Sequence, residues 1–344
     1  MDKYGDNMIF DSDIKNDHID LDAKPDITIK HIKSKIDNEN TFRINLKGKS
    51  IDNSVVNALR RTILMHIIVY GFNRKNIFIE HEKCVYMYNN DLIYNQIETL
   101  PIFDVPNNFD LEDFSELTSN EITDSNKKLV NIELMLNVKN TTNDYKYVTT
   151  HDAIIKINDK VSNGYKKYRP LSIIVLKPSE EVHLRAVANL GNSMIDAAYE
   201  ATTFAHHKEI SSMEYELTYE TLGQLDKDII FMKACLILIK KLDALQKYVE
   251  EEYKDDDNES KSIDITEIEL WGENDTMGNL LTTILQKCDY TNKAGYYVPH
   301  PFTDHVIIKY QVSKNIKITP IQVFIKVINH AKKIFQQILD ATTK

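Results

Sequence analysis

Glycine, proline and cysteine are all scarce: the 344 residues include nine glycines, eight prolines, three cysteines and a single tryptophan. So few glycines leave little room for a phosphate-cradling loop, and neither a P-loop nor a Gly-x-Ser-x-Gly elbow occurs. Cys84, Cys235 and Cys288 stand far apart, with no CxxC pair and no Cys/His cluster at zinc spacing. That argues against a structural zinc or a disulfide framework and favours a reducing compartment. No run reaches the roughly 20 apolar residues of a membrane helix. Residues 1–13 lack an apolar core, so no signal peptide is expected. Excess positive charge is missing too. Lys+Arg number 42 against 52 Asp+Glu, and the net charge of -10 excludes nucleic-acid binding by bulk charge alone. What is present is ordinary: 42% hydrophobic and 27% charged residues rule out collagen, coiled-coil arrays and wholesale disorder. The length suits two or three domains, each with its own core.

The hydropathy pattern divides the chain. Residues 1–25, rich in Asp, Asn and Lys, read as a flexible tail. Ile27 and Ile29, then Phe42, Ile44 and Leu46, alternate as two half-buried strands. At Asp52 the period changes: Val56, Leu59, Ile63 and Ile67 mark a helix capped by Asp52 or Ser54 and closed by Gly71. Strand patterns follow at 77–80, 85–88, 131–138, 172–176 and 182–186, making residues 101–204 a β-rich insert. Tyr215, Leu217 and Tyr219 alternate again, and a helix after Asp228 carries Met232, Cys235, Leu236, Ile239, Leu242, Leu245 and Val249. Residues 250–264 are acidic, almost free of apolar side chains, and read as a linker.

Residues 265–344 repeat the first plan in miniature. Ile265, Ile268 and Leu270 suggest a strand, Asp275 caps a helix from Met277 to Cys288, and Val306–Tyr310 alternates. Thr319-Pro320 opens a final helix with proline at its first position, where the missing N–H costs nothing. Its stripe, from Val323 through Val327 and Phe335 to Leu339, is more apolar surface than a four-element domain covers by itself. The helix ending at Val249 is the expected cover. The pattern predicts an α+β chain of two similar half-domains, 26–100 with 205–249 and 265–344, paired as an intramolecular pseudo-dimer.

Three groups of motifs stand in order along this frame. Asn57-Ala58-Leu59-Arg60-Arg61-Thr62 resembles the signature of the alpha-like subunits of multisubunit DNA-directed RNA polymerases, which include the eukaryotic third and eleventh subunits and archaeal D and L. Leu100-Pro101, Val148-Thr149-Thr150-His151-Asp152 and the run from Leu176 to Ala186 resemble the insert domain of the larger partner. Asn274-Asp275-Thr276-Met277-Gly278-Asn279-Leu280 and Gly295-Tyr296-Tyr297-Val298-Pro299-His300-Pro301 are similar to the two motifs of the small partner. The resemblance covers residues 26–340, so both partners are read as fused, as in large cytoplasmic DNA viruses. Two departures stand out. Thr282 replaces an arginine usual in the small partner, and Asp196-Ala197-Ala198-Tyr199-Glu200 replaces a His-Ala-x-Trp-x-Pro stretch.

The resemblance implies a non-catalytic scaffold subunit of a nucleotidyltransferase complex. It would dock the second-largest subunit through Arg60 and Arg61, then the largest, with a small zinc-ribbon subunit as a further partner. Asn57, Leu59, Gly278, Asn279, Leu280, Gly295, Tyr296, Pro299, His300, Pro301, Val327 and Phe335 are the implied dimerisation residues. No cofactor is expected on this chain. Catalytic magnesium would sit on the largest subunit, DNA would be met only indirectly, and neither membrane nor homo-oligomer is expected. The location implied is intracellular: host cytoplasm and virion for a viral chain, nucleus as the alternative.

On the residues alone, Arg60 and Arg61 also read as a solvated basic face, and Asn57, Gly278 and Asn279 as packing and capping residues. Gly295 to Pro301 reads as a rigid loop, His300 as a hydrogen-bonded loop residue, and His206 and His207 as surface histidines. Asp255-Asp256-Asp257 fails as an EF-hand, because positions six and twelve fall on Ser260 and Thr266. No catalytic constellation is found. The alternatives are a free-standing α+β enzyme or metalloprotein, which would need convergent titratable residues, or an assembly factor acting apart from the polymerase.

Overall fold

The computed structural model describes residues 18–34, 37–80, 89–105, 130–253, 265–300, 302–313 and 318–342. Thr28–His31 (β1) and Thr41–Lys47 (β2) pair antiparallel, and the alternation of Phe42, Ile44 and Leu46 turns β2 towards the core. Asn53–Met65 (α1) follows because Asp52, in extended conformation, accepts from the backbone N–H groups of Ser54 (2.9 Å) and Val55 (3.1 Å). Val55, Val56, Leu59 and Ile63 then bury one stripe.

The helix ends at Met65 with His66 as its C-cap, well before the glycine expected to close it. Ile67, Ile68 and Val69 are β-branched, and the chain passes into strand Val69–Gly71 (β3). Gly71 is required there for close approach: a Cβ would stand 2.3 Å from the Ala198 carbonyl oxygen.

Next come Ile77–Ile79 (β4), Asn90–Glu98 (α2, a helix the sequence pattern does not signal), Ile132–Lys139 (β5), Lys146–Thr149 (β6), Ile154–Ile157 (β7), Lys160–Ser162 (β8), Gly164–Lys167 (α3), Ser172–Leu176 (β9), Glu181–Val187 (β10) and Asn189–Gly191 (β11). They build a five-stranded sheet, β4-β10-β5-β7-β8, over a second core that includes Phe72, Ile97, Leu134, Leu176 and Leu184. Because Tyr70, Phe72 and β4 enter this core, a boundary at residue 100 cuts through it. The expected strand at 85–88 lies outside the described residues.

Thr202–Ser211 (β12) and Glu214–Thr221 (β13) return to the first sheet, ordered β1-β2-β13-β12, and Lys227–Glu252 (α4) leaves it with Asp226 as N-cap. Beyond residue 264 come Thr266–Trp271 (β14), Asp275–Lys287 (α5), Thr291–Tyr297 (β15), His305–Val312 (β16) and Pro320–Thr342 (α6). The sheet β14-β16-β15, with α5 and α6, has the plan of β2-β13-β12 with α1 and α4. One continuous core joins the halves, with α4 packed on α6 and α1 on both α4 and α5.

Three further expectations change. Asn274, not Asp275, caps α5, its side chain accepting from the Thr276 N–H. Gly295, Tyr296 and Tyr297 belong to β15 rather than a loop, since their N–H and C=O groups pair with β16. The part of the tail that is described is docked. Ile19 (7% exposed) and Leu21 (2%) enter the common core, the Ile19 N–H donates to the Lys287 carbonyl (2.9 Å), and Asp22 pairs with Lys326 (2.8 Å). Two apolar residues at period two are enough for this strap, although the average composition hides them. Residues 1–17 and 254–264, which hold most of the expected tail and linker, lie outside the described residues; α4 itself runs on to Glu252.

Leu21→Ala tests the strap. A docked Leu21 predicts a loss of roughly 2–5 kcal/mol in denaturant unfolding, whereas a free tail predicts no change.

Candidate partner-docking site

The seam between α1 and β12 carries the polar groups that chemistry leaves unspent. Asn57 and Arg60 are neighbours at i and i+3 on α1. The Asn57 Oδ1 accepts from Arg60 Nε (3.1 Å) and Nη2 (2.8 Å), which fixes the guanidinium plane. Burial, with Arg61 adding to it, lowers the Arg60 pKa, but an arginine keeps its charge regardless. Arg61 is half-buried, and its Nε is enclosed without an acceptor among the described residues. A buried donor left unpaired is costly.

Across the seam, His207 on β12 bonds through Nε2 to the Asn53 Oδ1 (2.8 Å), so its enclosed Nδ1 is an unfilled acceptor. Burial first, then the Arg60 charge, pushes its pKa below the ordinary 6.5 and favours the neutral ring. The residue is half-buried beside Arg60, not a bystander on the surface; the sequence carries no sign of this, because β12 meets α1 only in the fold. At the end of α1, His66 is pushed down to about 4, by burial first and then by Lys241 and Arg61.

Written one above the other, residues 53–65 and 275–287 align without a gap, each helix 13 residues long. Asn279 then matches Asn57, and Thr282 and Thr283 stand where Arg60 and Arg61 stand. The Thr283 hydroxyl donates to the Asn279 carbonyl (2.8 Å), and the Thr282 hydroxyl is buried without a partner. The basic face exists on one half only.

The remaining motif residues separate into two groups. Leu59, Leu280, Val327 and Phe335 are fully buried in the common core. Gly278 and Tyr296 meet each other: a Cβ on Gly278 would lie 2.7 Å from the Tyr296 ring, so the two small-partner motifs form a single contact. Gly295, Pro299 and His300 are exposed, and nothing lies within 4 Å of a Cβ placed on Gly295. His300 organises its own turn, Nδ1 accepting from the Phe302 N–H (3.1 Å) and its carbonyl from the Thr303 hydroxyl (2.7 Å). Pro301 lies outside the described residues. Nearby, Trp271 is 61% exposed and stacks on His305 (4.3 Å between ring centres), a pair formed by cross-strand register. Among the described residues no three His, Cys, Asp or Glu side chains gather as a metal site, and no helix is long and apolar enough to cross a membrane.

Fold and site together define a paired-helix scaffold with a basic helix face on one half. Residues 266–341 match the RNA polymerase Rpb3/Rpb11 dimerisation domain family. A protein of Acanthamoeba polyphaga mimivirus, provisionally named as a DNA directed RNA polymerase subunit, is 44% identical over 351 residues, 95% of this chain and 97% of that one. The Rpo11 polymerase subunit of Saccharolobus solfataricus is 32% identical over 74 residues, 22% of this chain and 78% of its own length. That of Saccharolobus shibatae is 46% identical over 43 residues, 12% of this chain and 47% of its own length. The chain belongs to the Rpb3/Rpb11 alpha-like family of RNA polymerase subunits, with its eleventh-subunit-like part at the C-terminal end.

Two measurements test this geometry. Gly278→Ala should cost roughly 1–3 kcal/mol, because Tyr296 and Val306 both crowd the added methyl, while Gly295→Ala should be close to neutral. For His66, the unfolded chain takes up a proton below about pH 6.5 that the folded chain refuses until about pH 4. Stability should therefore fall as pH drops through that window, by at most about 1.4 kcal/mol per pH unit. His66→Gln should flatten the profile of unfolding free energy against pH.

Proposed function

We propose that the chain is a non-catalytic assembly subunit of a DNA-directed RNA polymerase, supplying in one polypeptide the work of two alpha-like partners. The observation that carries this is the identity spread over 95% of the chain to a viral protein named as such a subunit, with the dimerisation-domain match at 266–341 agreeing. The chain associates with other polymerase subunits. In the finer reading, the second-largest subunit docks on Arg60 and Arg61, the largest subunit follows, and the insert is open to a small zinc-ribbon subunit. Arg60 is held in orientation by Asn57, and the half-buried Arg61 beside it adds a second positive charge. These groups suit carboxylate or carbonyl acceptors on a protein partner.

The division into a first dimerisation unit, a β-rich insert and a second dimerisation unit is part of the same proposal. So is the absence of a cofactor of its own, with the catalytic magnesium held by the largest subunit. DNA is met indirectly. The setting that agrees with the viral relative is host cytoplasm and virion.

Arg60→Glu/Arg61→Glu in the tagged full chain is the test. It should keep the wild-type circular dichroism and melting temperature, yet lose at least tenfold of the second-largest subunit in affinity purification. Undiminished recovery would remove these arginines from the interface.

A further inference from the structure

The ion pairs between the two halves form a pattern. Among the described residues five join a residue of 18–253 to one of 265–342: Asp52–Lys287 (2.9 Å), Lys241–Glu273 (3.5 Å), Lys326–Asp22 (2.8 Å), Lys332–Asp243 (2.9 Å) and, when the histidine is protonated, the exposed His18–Asp289 (2.7 Å). The first two are the most enclosed, with side chains 11% and 16% exposed at Asp52 and Lys287, and 20% and 13% at Lys241 and Glu273. Asp52, Lys287 and Glu273 sit at the ends of α1 and α5, whereas Lys241 lies inside α4. Asp52 Oδ1 caps α1 while its Oδ2 accepts from Lys287, the last residue of α5. Glu273 stands just before the cap of α5 and meets Lys241 on α4.

The gapless match of α1 and α5 shows what each group would meet in the wrong pairing. Asp52 corresponds to Asn274, Lys287 to Met65 and Glu273 to Ile51. Were two first halves to pair through the same helix contact, each Asp52 would face a methionine and each Lys241 an isoleucine. Were two second halves to pair, each Lys287 would face Asn274. In every like-with-like arrangement an enclosed charge loses its counterion, which is the strongly unfavourable way to break a buried pair. The apolar stripes of α1 and α5 occupy the same positions but differ in size, with Val56, Ala58 and Thr62 matching Gly278, Leu280 and Ile284, so packing discriminates beside the charges. A chain with two related halves on a tether needs such discrimination, since otherwise chains would link through like halves.

We propose that Asp52–Lys287, supported by Lys241–Glu273, is an electrostatic specificity determinant that favours pairing of the unlike halves over like ones. The bridges reject a second copy of this chain at the same helix surface.

The test uses the full chain in three variants: Asp52→Asn, which keeps a capping side chain, Lys287→Met, and both together. Melting temperature and mass by sedimentation are read for each. Each single variant strands one charge and should lower the melting temperature; the double variant strands none and should recover at least half of the larger loss. The wild type should keep the mass of one chain from micromolar to hundreds of micromolar. The double variant should gain dimer at least tenfold over wild type at the highest concentration. Exchange of unlike halves between chains keeps both contacts, so it is the same in wild type and variant and cannot produce that difference. A purely structural bridge would move the melting temperature and leave the mass alone. A monomeric double variant across that range, or single losses that simply add, would overturn the proposal.

Discussion

Everything in this molecule follows from one mismatch of surface. The last helix, α6, buries Val323, Phe324, Val327, Ile328, Ala331, Ile334, Phe335 and Ile338 almost completely. Three strands and one 13-residue helix cannot cover a stripe of that length. The missing cover comes from α4, far upstream in the chain, which is why a single core runs through both halves. Neither long helix has a satisfactory surface without the other, and burial of apolar area is what drives them together. Placing both on one chain turns the encounter into an intramolecular step, so pairing does not depend on protein concentration.

Apolar burial supplies the drive, and the polar residues at the rim add orientation. The ends of α1 and α5 carry enclosed charges that find partners only in the unlike pairing. The strap at Ile19–Asp22 reaches from the start of the chain to Lys287, Tyr290 and Lys326 near its end. Asymmetry is also what equips the scaffold to assemble something larger. A symmetric pair would offer two equal faces. Here Arg60 and Arg61 mark one half, threonines occupy the same places in the other, and a partner reading those groups has one position available.

Much of the fold was legible in the sequence because its signals are local. The period change at Asp52, proline at the start of α6, and the alternation in β2, β5, β13 and β16 all arise from neighbours within a turn or a strand. What escaped was set by distant contacts. Gly71 looked like a helix stop and is a packing glycine, for its reason lies at Ala198. Ile19 and Leu21 were lost in an acidic composition, since two residues do not move an average. At the site, Arg60, Arg61 and Asn57 were visible as a motif. Their setting was not: the His207–Asn53 bond, the bare Nε of Arg61 and the Lys287 partner of Asp52 all depend on elements brought together by folding. The exposed glycine at 295 shows the converse. It sits in the most specific-looking motif, and nothing in the fold explains it.

The central claim is that one polypeptide stands in for two alpha-like subunits. The direct measurement is native mass spectrometry of the complex purified through a tag on this chain, counting copies. The account predicts one copy beside one each of the two largest polymerase subunits, with no separate eleventh-subunit-like chain. Two copies per complex, an additional small alpha-like partner, or a chain recovered without the large subunits would contradict it.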